Sequence, residues 1–318
     1  MSYLITHTDM DGIGAVAVYL AAFRPSSFKV FFVEPYQLDH VLRKISFEDC
    51  ESVAIMDLGV NPPIFPKVVE LVSKLTSKKI PVRWFDHHIW EISWMRQIKE
   101  TGVELVHDTS TCATGVVYNY AVDKAGLKDD ELLEFVKGVC AGDLWSFDHW
   151  LGGFYLRLVR RRDNDSWRNF VIEKILKREF VNESFIEKVE INVSNELRVL
   201  SSELLISIRS LKNGYRVAAV GGSEEVDTSF IASYVLGRYG VDVVIVVSPE
   251  GKLSFRSRSV NIRDLAVAMG GGGHPKAAGA KIEIPVSLRI VSLLDKKALL
   301  NYVLEQIGKH SDLIKPAQ

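Results

Sequence analysis

Cysteine is scarce: the 318 residues contain three, Cys50, Cys112 and Cys140, scattered and without a CxxC pair. That excludes a disulfide-rich secreted scaffold and a thiolate zinc cage, and the three are expected as reduced thiols in a cytoplasmic protein. No apolar run approaches the roughly 20 residues needed to span a bilayer, so no membrane partner is expected. The opening Met-Ser-Tyr-Leu-Ile-Thr-His lacks the basic start and apolar core of a signal peptide. An excess of one charge is missing as well, with 39 Lys plus Arg against 40 Asp plus Glu. This argues against a surface that coats long nucleic acid and leaves room for local basic patches. What remains is an ordinary soluble composition, 47% hydrophobic and 25% charged, in a chain long enough for two domains.

What is present is a recurring pattern of short β-favouring runs that stop at acids and histidines. Residues 3–5 read as a buried strand running into His7-Thr8-Asp9-Met10-Asp11-Gly12, and residues 13–23, rich in Ala and Val, read as a helix. His7, Asp9 and Asp11 alternate at i, i+2 and i+4, with Gly12 permitting a tight turn behind them. Capping of the helix by Asp9 or Asp11 needs only one acid, so the alternation favours metal ligation. Residues 28–33 and 52–56 read as further strands, the second ending in Asp57-Leu58-Gly59. After a helix over 66–74, the run 82–85 ends in Asp86-His87-His88. Adjacent histidines on a strand point to opposite faces, whereas at a strand's end both can reach one pocket. Strands alternating with helices predict a mainly parallel sheet covered on both faces, with ligands gathering at the strand ends. Seven polar groups converging there would need compensating cations.

Further along, Asp108-Thr109-Ser110-Thr111 precedes a helix over 112–121 and is expected to cap it. A helix over 130–141 ends at Gly142-Asp143, where an acid opposes the helix dipole unless a cation compensates it. The aromatic stretch Trp145, Phe147, His149 and Trp150 admits a core role or a wall on which a base stacks, and core is the simpler expectation. The basic cluster at 157–162 is expected as a solvated helix face. Apolar residues at three- and four-residue steps from 185 to 211 predict one long helix joining two domains. The second half repeats the α/β pattern, with strands over 215–220, 241–247 and 253–256 and helices over 228–239 and 261–269. It carries Arg256-Ser257-Arg258 and Gly270-Gly271-Gly272-Gly273-His274. A glycine run lets the backbone approach a ligand and form an anion-binding nest. With Arg256, Arg258, His274 and Lys276 nearby, a phosphate cradle is expected rather than a linker.

The ordered set His7-x-Asp9-x-Asp11-Gly12, Asp57, Asp86-His87-His88 and Asp143 resembles the four motifs of the DHH phosphoesterase family. Arg-Ser-Arg with Gly-Gly-Gly-His resembles the DHH-associated C-terminal domain, so the likeness covers nearly the whole chain, least at 152–184. It implies an α/β protein of two domains. A catalytic domain over 1–184 has the larger, mainly parallel sheet with flanking helices; a connecting helix over 185–212 leads to a smaller mixed α/β substrate-binding domain over 213–318. The resemblance also implies a binuclear centre, usually manganese, with Mg²⁺ or Co²⁺ as alternatives. His7, Asp9 and Asp57 would hold the first metal, and Asp11, Asp57, His87 and Asp143 the second, with Asp57 bridging. His88 would sit beside the substrate phosphate and Asp86 would orient its neighbours. Arg256, Ser257, Arg258, Gly272, Gly273 and His274 would bind substrate across a cleft.

Within the family the compact two-domain layout is most similar to nanoRNases, phosphoadenosine phosphatases and cyclic-dinucleotide phosphodiesterases. The tight His-x-Asp-x-Asp first motif is closer to the exonuclease branch. The expectation is a metal-dependent phosphodiesterase releasing nucleoside monophosphates from short single-stranded RNA or DNA, since a long strand would favour a broader basic track. Phosphoadenosine phosphate or a cyclic dinucleotide is the rival small-nucleotide substrate, and a nucleotide-binding regulatory module is the non-enzymatic rival. A homodimer is compatible with each.

Overall fold

The computed structural model describes residues 1–202 and 204–316, and the chain divides into two compact units, Met1–Val189 and Glu190–Gln318. Position 203, inside the expected connecting helix, and positions 317–318 lie outside the described residues. The first unit begins β1 (Ser2–Thr6), α1 (Met10–Phe23), β2 (Phe28–Phe32), α2 (Leu38–Leu42), β3 (Ser52–Met56), α3 (Phe65–Ser77) and β4 (Val82–Asp86). It continues with α4 (Ile92–Glu100), β5 (Glu104–His107), α5 (Ala113–Ala125), α6 (Asp130–Asp143), α7 (Gly152–Leu158) and α8 (Asp165–Leu176). The boundary between the units falls inside α9 (Glu183–Ser201).

The five strands of the first unit are all parallel, in the order β2-β1-β3-β4-β5. Parallel strands must be covered on both faces, which is why Ser2–Thr6 and Ser52–Met56 are almost continuously buried. Tyr3, Ile5, Val53, Ile55, Val82 and Trp84 alternate onto one face and pack with Val68, Leu71, Val72 and Leu75 of α3 and Ile98 of α4. On the opposite face Phe85 meets Tyr19 of α1 and Tyr120 of α5 edge-on. The register aligns Phe32, Thr6, Met56 and Phe85 across the sheet. The next residues of three of these strands, His7, Asp57 and Asp86, therefore emerge side by side at one edge. In this strand order the chain runs from β1 to β2 on one side and then crosses back to β3 on the other side of β1, and doubly wound sheets bind ligands at such a switch point.

The second unit adds β6 (Ile206–Ser210), β7 (Arg216–Gly221), α10 (Thr228–Tyr239), β8 (Val243–Val247), β9 (Lys252–Ser257), β10 (Val260–Asn261) and α11 (Arg263–Ala268). It ends with β11 (Gly272–His274), β12 (Ala277–Lys281), α12 (Val286–Leu294), α13 (Ala298–Lys309) and β13 (Lys315–Pro316). Six of these strands form a mixed sheet ordered β11-β12-β9-β8-β7-β6. Strand alternation sorts its two cores: Val217, Ala219, Val243 and Ile245 pack with Val303 and Ile307 of α13, while Ala218, Val220, Val244 and Val246 pack with Ile231 and Val235 of α10. Among the described residues no helix is long and apolar enough to cross a membrane.

Two expectations fail here. The helix expected over 185–211 stops at Ser201, and Ile206–Ser210 is a strand paired antiparallel with β7. Ile206, Ser207 and Ile208 alternate as a strand does, and Gly214 at φ 88° turns the chain into β7. Tertiary pairing thus overrides a helical spacing that continues by coincidence. The second failure concerns the thiols, because Cys112 and Cys140 form a disulfide joining the start of α5 to α6. They stand 28 residues apart in sequence, and only helix packing makes them neighbours. A thiol reagent applied to the unfolded, unreduced protein should therefore find one thiol, Cys50. Cys140→Ser should lower the stability of the oxidised protein by about 3.5 kcal/mol, as expected for a loop of that length. Three reactive thiols would show the bond to be absent.

Candidate metal centre

The donors leave the sheet edge in two groups joined by Asp57. His7 Nδ1 lies 2.7 Å from Asp9 Oδ2 and 3.5 Å from Asp57 Oδ2. On the other side, His87 Nε2 lies 3.5 Å from Asp57 Oδ1, 3.6 Å from Asp143 Oδ2 and 3.7 Å from Asp11 Oδ2. Each oxygen of Asp57 faces a different histidine. Asp57 reaches this position from a left-handed backbone, φ 56°, which Asp and Asn tolerate better than other side chains. Its N–H donates to the Phe85 carbonyl at 3.0 Å, so β4 helps to hold the strained turn. Strain of this kind gathers at functional sites.

Hydrogen bonding explains part of the cluster. Asp9 caps α1, its Oδ1 accepting from the Gly12 N–H at 3.3 Å. Asp11 caps a different helix: its carboxylate accepts from the N–H groups of Ala113 (2.7 Å) and Thr114 (2.8 Å) at the start of α5. The sequence points to Asp108 for that cap, but the Asp108 carboxylate binds Ser110 instead. Gly12 lies within the first turn of α1 rather than in a loop behind the ligands. A Cβ there would come within 2.6 Å of the His7 carbonyl oxygen, so glycine lets the helix start pack directly on the His7 segment.

Charge is what these bonds leave unbalanced. Burial raises Asp11 well above the usual carboxylate range, and Asp57 and Asp143 add to the shift. Although partly exposed, Asp143 is also pushed up to about 6, by desolvation within the cluster and by Asp57 and Asp9, against the pull of His87. Burial disfavours a charged His87, yet Asp57, Asp11 and Asp143 outweigh it and push the imidazole up to about 11. Three carboxylates around one imidazole make a site that favours added positive charge. The sets His7–Asp9–Asp57, Asp11–His87–Asp143 and Asp57–His87–His88 each bring donor atoms within 4.8 Å of one another and could hold a metal ion. Carboxylate and imidazole donors without sulfur suit ions such as Mn²⁺.

Asp86 stands behind this cluster. It is fully buried and accepts from His88 Nδ1 at 2.8 Å and from Trp90 Nε1 at 2.5 Å. Burial opposes its charge, but His88 and the other donors hold it below the usual range. Burial likewise opposes a charged His88, and Asp86 outweighs it, pushing the ring up to about 9. His107 Nε2 lies 2.6 Å from the His88 carbonyl oxygen and fixes the backbone there. Glu34, two residues beyond β2, sits 3.4 Å from His7 Nε2 and accepts from Thr8 Oγ1 at 2.9 Å. Burial pulls Glu34 up, while His7 and Arg161 hold it down at about 2. Trp90, His107 and Glu34 escape a reading of the sequence; only Glu34 carries a usable signal, an acid just past a strand.

The basic cluster is not a helix face. Arg157 alone lies on α7, Arg160 is buried, and Arg161 reaches to 4.0 Å from Glu34. Buried Arg168 of α8 donates from Nε to the Thr8 carbonyl (2.9 Å) and from Nη2 to the Arg161 carbonyl (2.8 Å), tying this turn to the His7 segment. The aromatic stretch after Asp143 is not core either, since Trp145, Phe147 and Trp150 are exposed.

Two family models match the chain: the DHH family, N-terminal domain, over residues 2–142, and the DHHA1 domain over residues 212–306. The chain belongs to the DHH family. Members of that family are metal-dependent phosphoesterases, and no curated protein matches this chain significantly. Among solved structures the DHH chain is similar to the pGpG-specific phosphodiesterase PggH from Vibrio cholerae, at 16% identity and TM-score 0.54, covering 94% of this chain and 99% of that one. An exopolyphosphatase-related protein from Bacteroides fragilis is similar at 14% identity and TM-score 0.51, covering 94% and 92%. RecJ from Thermus thermophilus in complex with Mn²⁺ is similar at 14% identity and TM-score 0.55, covering 100% and 53%. Identities this low establish the shared fold, and the chain spans about half of RecJ.

In the DHHA1 domain the two expected substrate motifs meet through β12. His274 pairs with Ala277, and Ala277 pairs with Arg256. The second half of the glycine run is extended: Gly272–His274 forms β11 against β12. A Cβ at Gly273, φ 135°, would lie 2.6 Å from the Ala277 carbonyl oxygen, so this glycine serves strand-to-strand contact, whereas Gly272 opens onto free space. Arg256 Nη2 donates to Ser229 Oγ at 3.1 Å, and Arg258 is exposed. Ser257 is buried and its hydroxyl donates to the Val260 carbonyl, so it closes a turn.

Proposed function

We propose that this DHH protein is a phosphodiesterase that uses two divalent ions, Mn²⁺ foremost, to hydrolyse short single-stranded oligonucleotides to nucleoside monophosphates. The observation that carries the reading is Asp57, whose two oxygens face His7 and His87 separately. A carboxylate placed in that way is suited to bridge two ions, with His7 and Asp9 on one side and Asp11, His87 and Asp143 on the other. Bound divalent ions supply charge neutralisation at the phosphoryl oxygens and a water acidic enough to act near neutrality. The chain's own residues do the positioning. Asp86 orients His88 through Nδ1, and His88 acts beside the substrate phosphate to align the phosphorus. Water forms a new P–O bond, the bond to the sugar oxygen breaks, and that oxygen takes a proton as the nucleotide departs. Arg256, Arg258 and His274 bind the substrate's remaining phosphate, and Ser257 is left with a structural role.

The near balance of 39 basic and 40 acidic residues favours a short substrate over a long strand. The full-length likeness to a pGpG-specific phosphodiesterase supports the same choice, and RecJ, solved with Mn²⁺, supports the metal. Incubating one Mn²⁺-loaded preparation with labelled dinucleotide, long single strand, phosphoadenosine phosphate, cyclic dinucleotide and pyrophosphate tests the reading. The dinucleotide should turn over fastest. Faster turnover of another compound would move the substrate class, and bound metal without any hydrolysis would make the protein a binding module. Arg258→Ala and His274→Ala should each raise KM by about tenfold, the scale of a charge-assisted hydrogen bond, with little change in kcat. A loss confined to kcat would place them in the chemical step.

A further inference from the structure

We propose that the loop after Asp143 is a stacking platform for a nucleobase of the substrate, an inference that rests on the phosphodiesterase reading above. Three large aromatic residues here are presented to solvent: Trp145 is 37% exposed, Phe147 42% and Trp150 79%. Neither Trp145 nor Phe147 sits in a conformation that its own backbone prefers, since their φ values are 58° and 51°. Bulky side chains rarely occupy that left-handed region, and they persist there where the surrounding structure enforces it.

The enforcement is visible. The Leu144, Trp145 and Phe147 N–H groups donate to the carbonyls of Cys140, Gly142 and Ala141, wrapping the loop back over the end of α6. Ser146 Oγ donates to Asp148 Oδ1 at 2.7 Å and stiffens the bend between the two rings. The rings of Trp145 and Phe147 then meet edge to face with centroids 4.9 Å apart. Exposed aromatic residues held rigidly against their backbone preference carry strain of the kind that gathers at functional sites. A flat apolar ligand explains them.

The position identifies that ligand. Asp143 Oδ2 lies 3.6 Å from His87 Nε2, and Trp145 and Phe147 follow Asp143 by two and four residues. An extended chain covers at most about 3.5 Å per residue, so both rings start within roughly 7 and 14 Å of the Asp143 backbone. A base is separated from its own phosphate by one sugar, so a nucleotide whose phosphate is at the metal centre can lay its base here. Aromatic stacking tolerates any base, because each has a π-face. The platform therefore supplies affinity for nucleotides as a class without selecting a sequence.

The test is steady-state hydrolysis by the full-length Mn²⁺-loaded protein of a dinucleotide and of its abasic version, in which hydrogen replaces both bases. Phe147→Ala should raise KM for the dinucleotide about tenfold, the loss of one base–aromatic stack, with kcat and the abasic substrate unaffected. Phe147→Tyr should behave as the native protein, and Phe147→Leu, which keeps the apolar bulk without a π-face, should behave as Phe147→Ala. Should the alanine variant fail to fold, the leucine and tyrosine variants decide the matter. Equal losses on both substrates, or native behaviour from Phe147→Leu, would overturn the platform. If the native protein hydrolyses no dinucleotide, the phosphodiesterase reading falls by itself. The platform is then judged by calorimetric binding of adenosine monophosphate against ribose 5-phosphate: base-dependent binding lost in Phe147→Leu supports it, and equal binding overturns it.

Discussion

Asp57→Asn is expected to abolish paired metal binding and to lower kcat by about three orders of magnitude or more, because a bound ion supplies several kcal/mol of charge stabilisation and each 1.4 kcal/mol is tenfold. Asparagine is the informative replacement. It keeps the size of the side chain and tolerates the left-handed backbone at φ 56° nearly as well as aspartate does. It removes the charge and leaves one oxygen where two had faced His7 and His87. Calorimetric titration with Mn²⁺ should therefore find at most one ion, against the two expected for the native protein. Asp57→Ala would confuse this result, since alanine at a positive φ adds strain to the loss of a ligand. Two ions bound with full turnover in Asp57→Asn would remove Asp57 from its bridging role.

Asp11→Ala is expected to lower both stability and metal binding, and to separate the two roles of this carboxylate. The side chain accepts from two buried N–H groups at the start of α5, and each buried donor left unpaired costs about 1–3 kcal/mol. Urea unfolding in the presence of a chelator should therefore show a loss of about 2–4 kcal/mol even without metal. Asp143→Ala offers the contrast. Its carboxylate faces His87 from a partly exposed position, so its removal should weaken metal binding while leaving metal-free stability nearly unchanged. Equal unfolding midpoints for Asp11→Ala and the native protein would exclude the capping role. A stability loss in Asp143→Ala as large as that in Asp11→Ala would mean that the carboxylates act as a structural set rather than as metal ligands.

The legible part of this protein is local. Each candidate ligand except Asp143 stands shortly after a buried strand, and a run such as Val53-Ala54-Ile55-Met56 announces both the strand and the place where its chain leaves the sheet. Glu34 escapes notice because Val33 separates it from the end of β2, and Trp90 because its indole contact with Asp86 looks like ordinary core. The strand at Ile206–Ser210 is hidden for a different reason. Its apolar spacing satisfies a helix as well as a strand, and β7, with which it pairs, makes the choice. The glycines before His274 are legible as a close approach of backbone, yet the sequence does not show that strand β12 is what approaches Gly271 and Gly273.

By itself the sequence determined which donors exist, their order along the chain, and their emergence at strand ends, because side-chain chemistry and strand periodicity are local properties. The tertiary structure decided their partners. It alone gave Asp11 the N-terminus of α5, joined Cys112 to Cys140, and set the two oxygens of Asp57 between His7 and His87. It also turned the aromatic residues after Asp143 out of the core. Each of these depends on groups distant in sequence, or on a backbone angle that neighbouring residues do not specify. Packing settles such matters only when the whole sheet and its helices are in place.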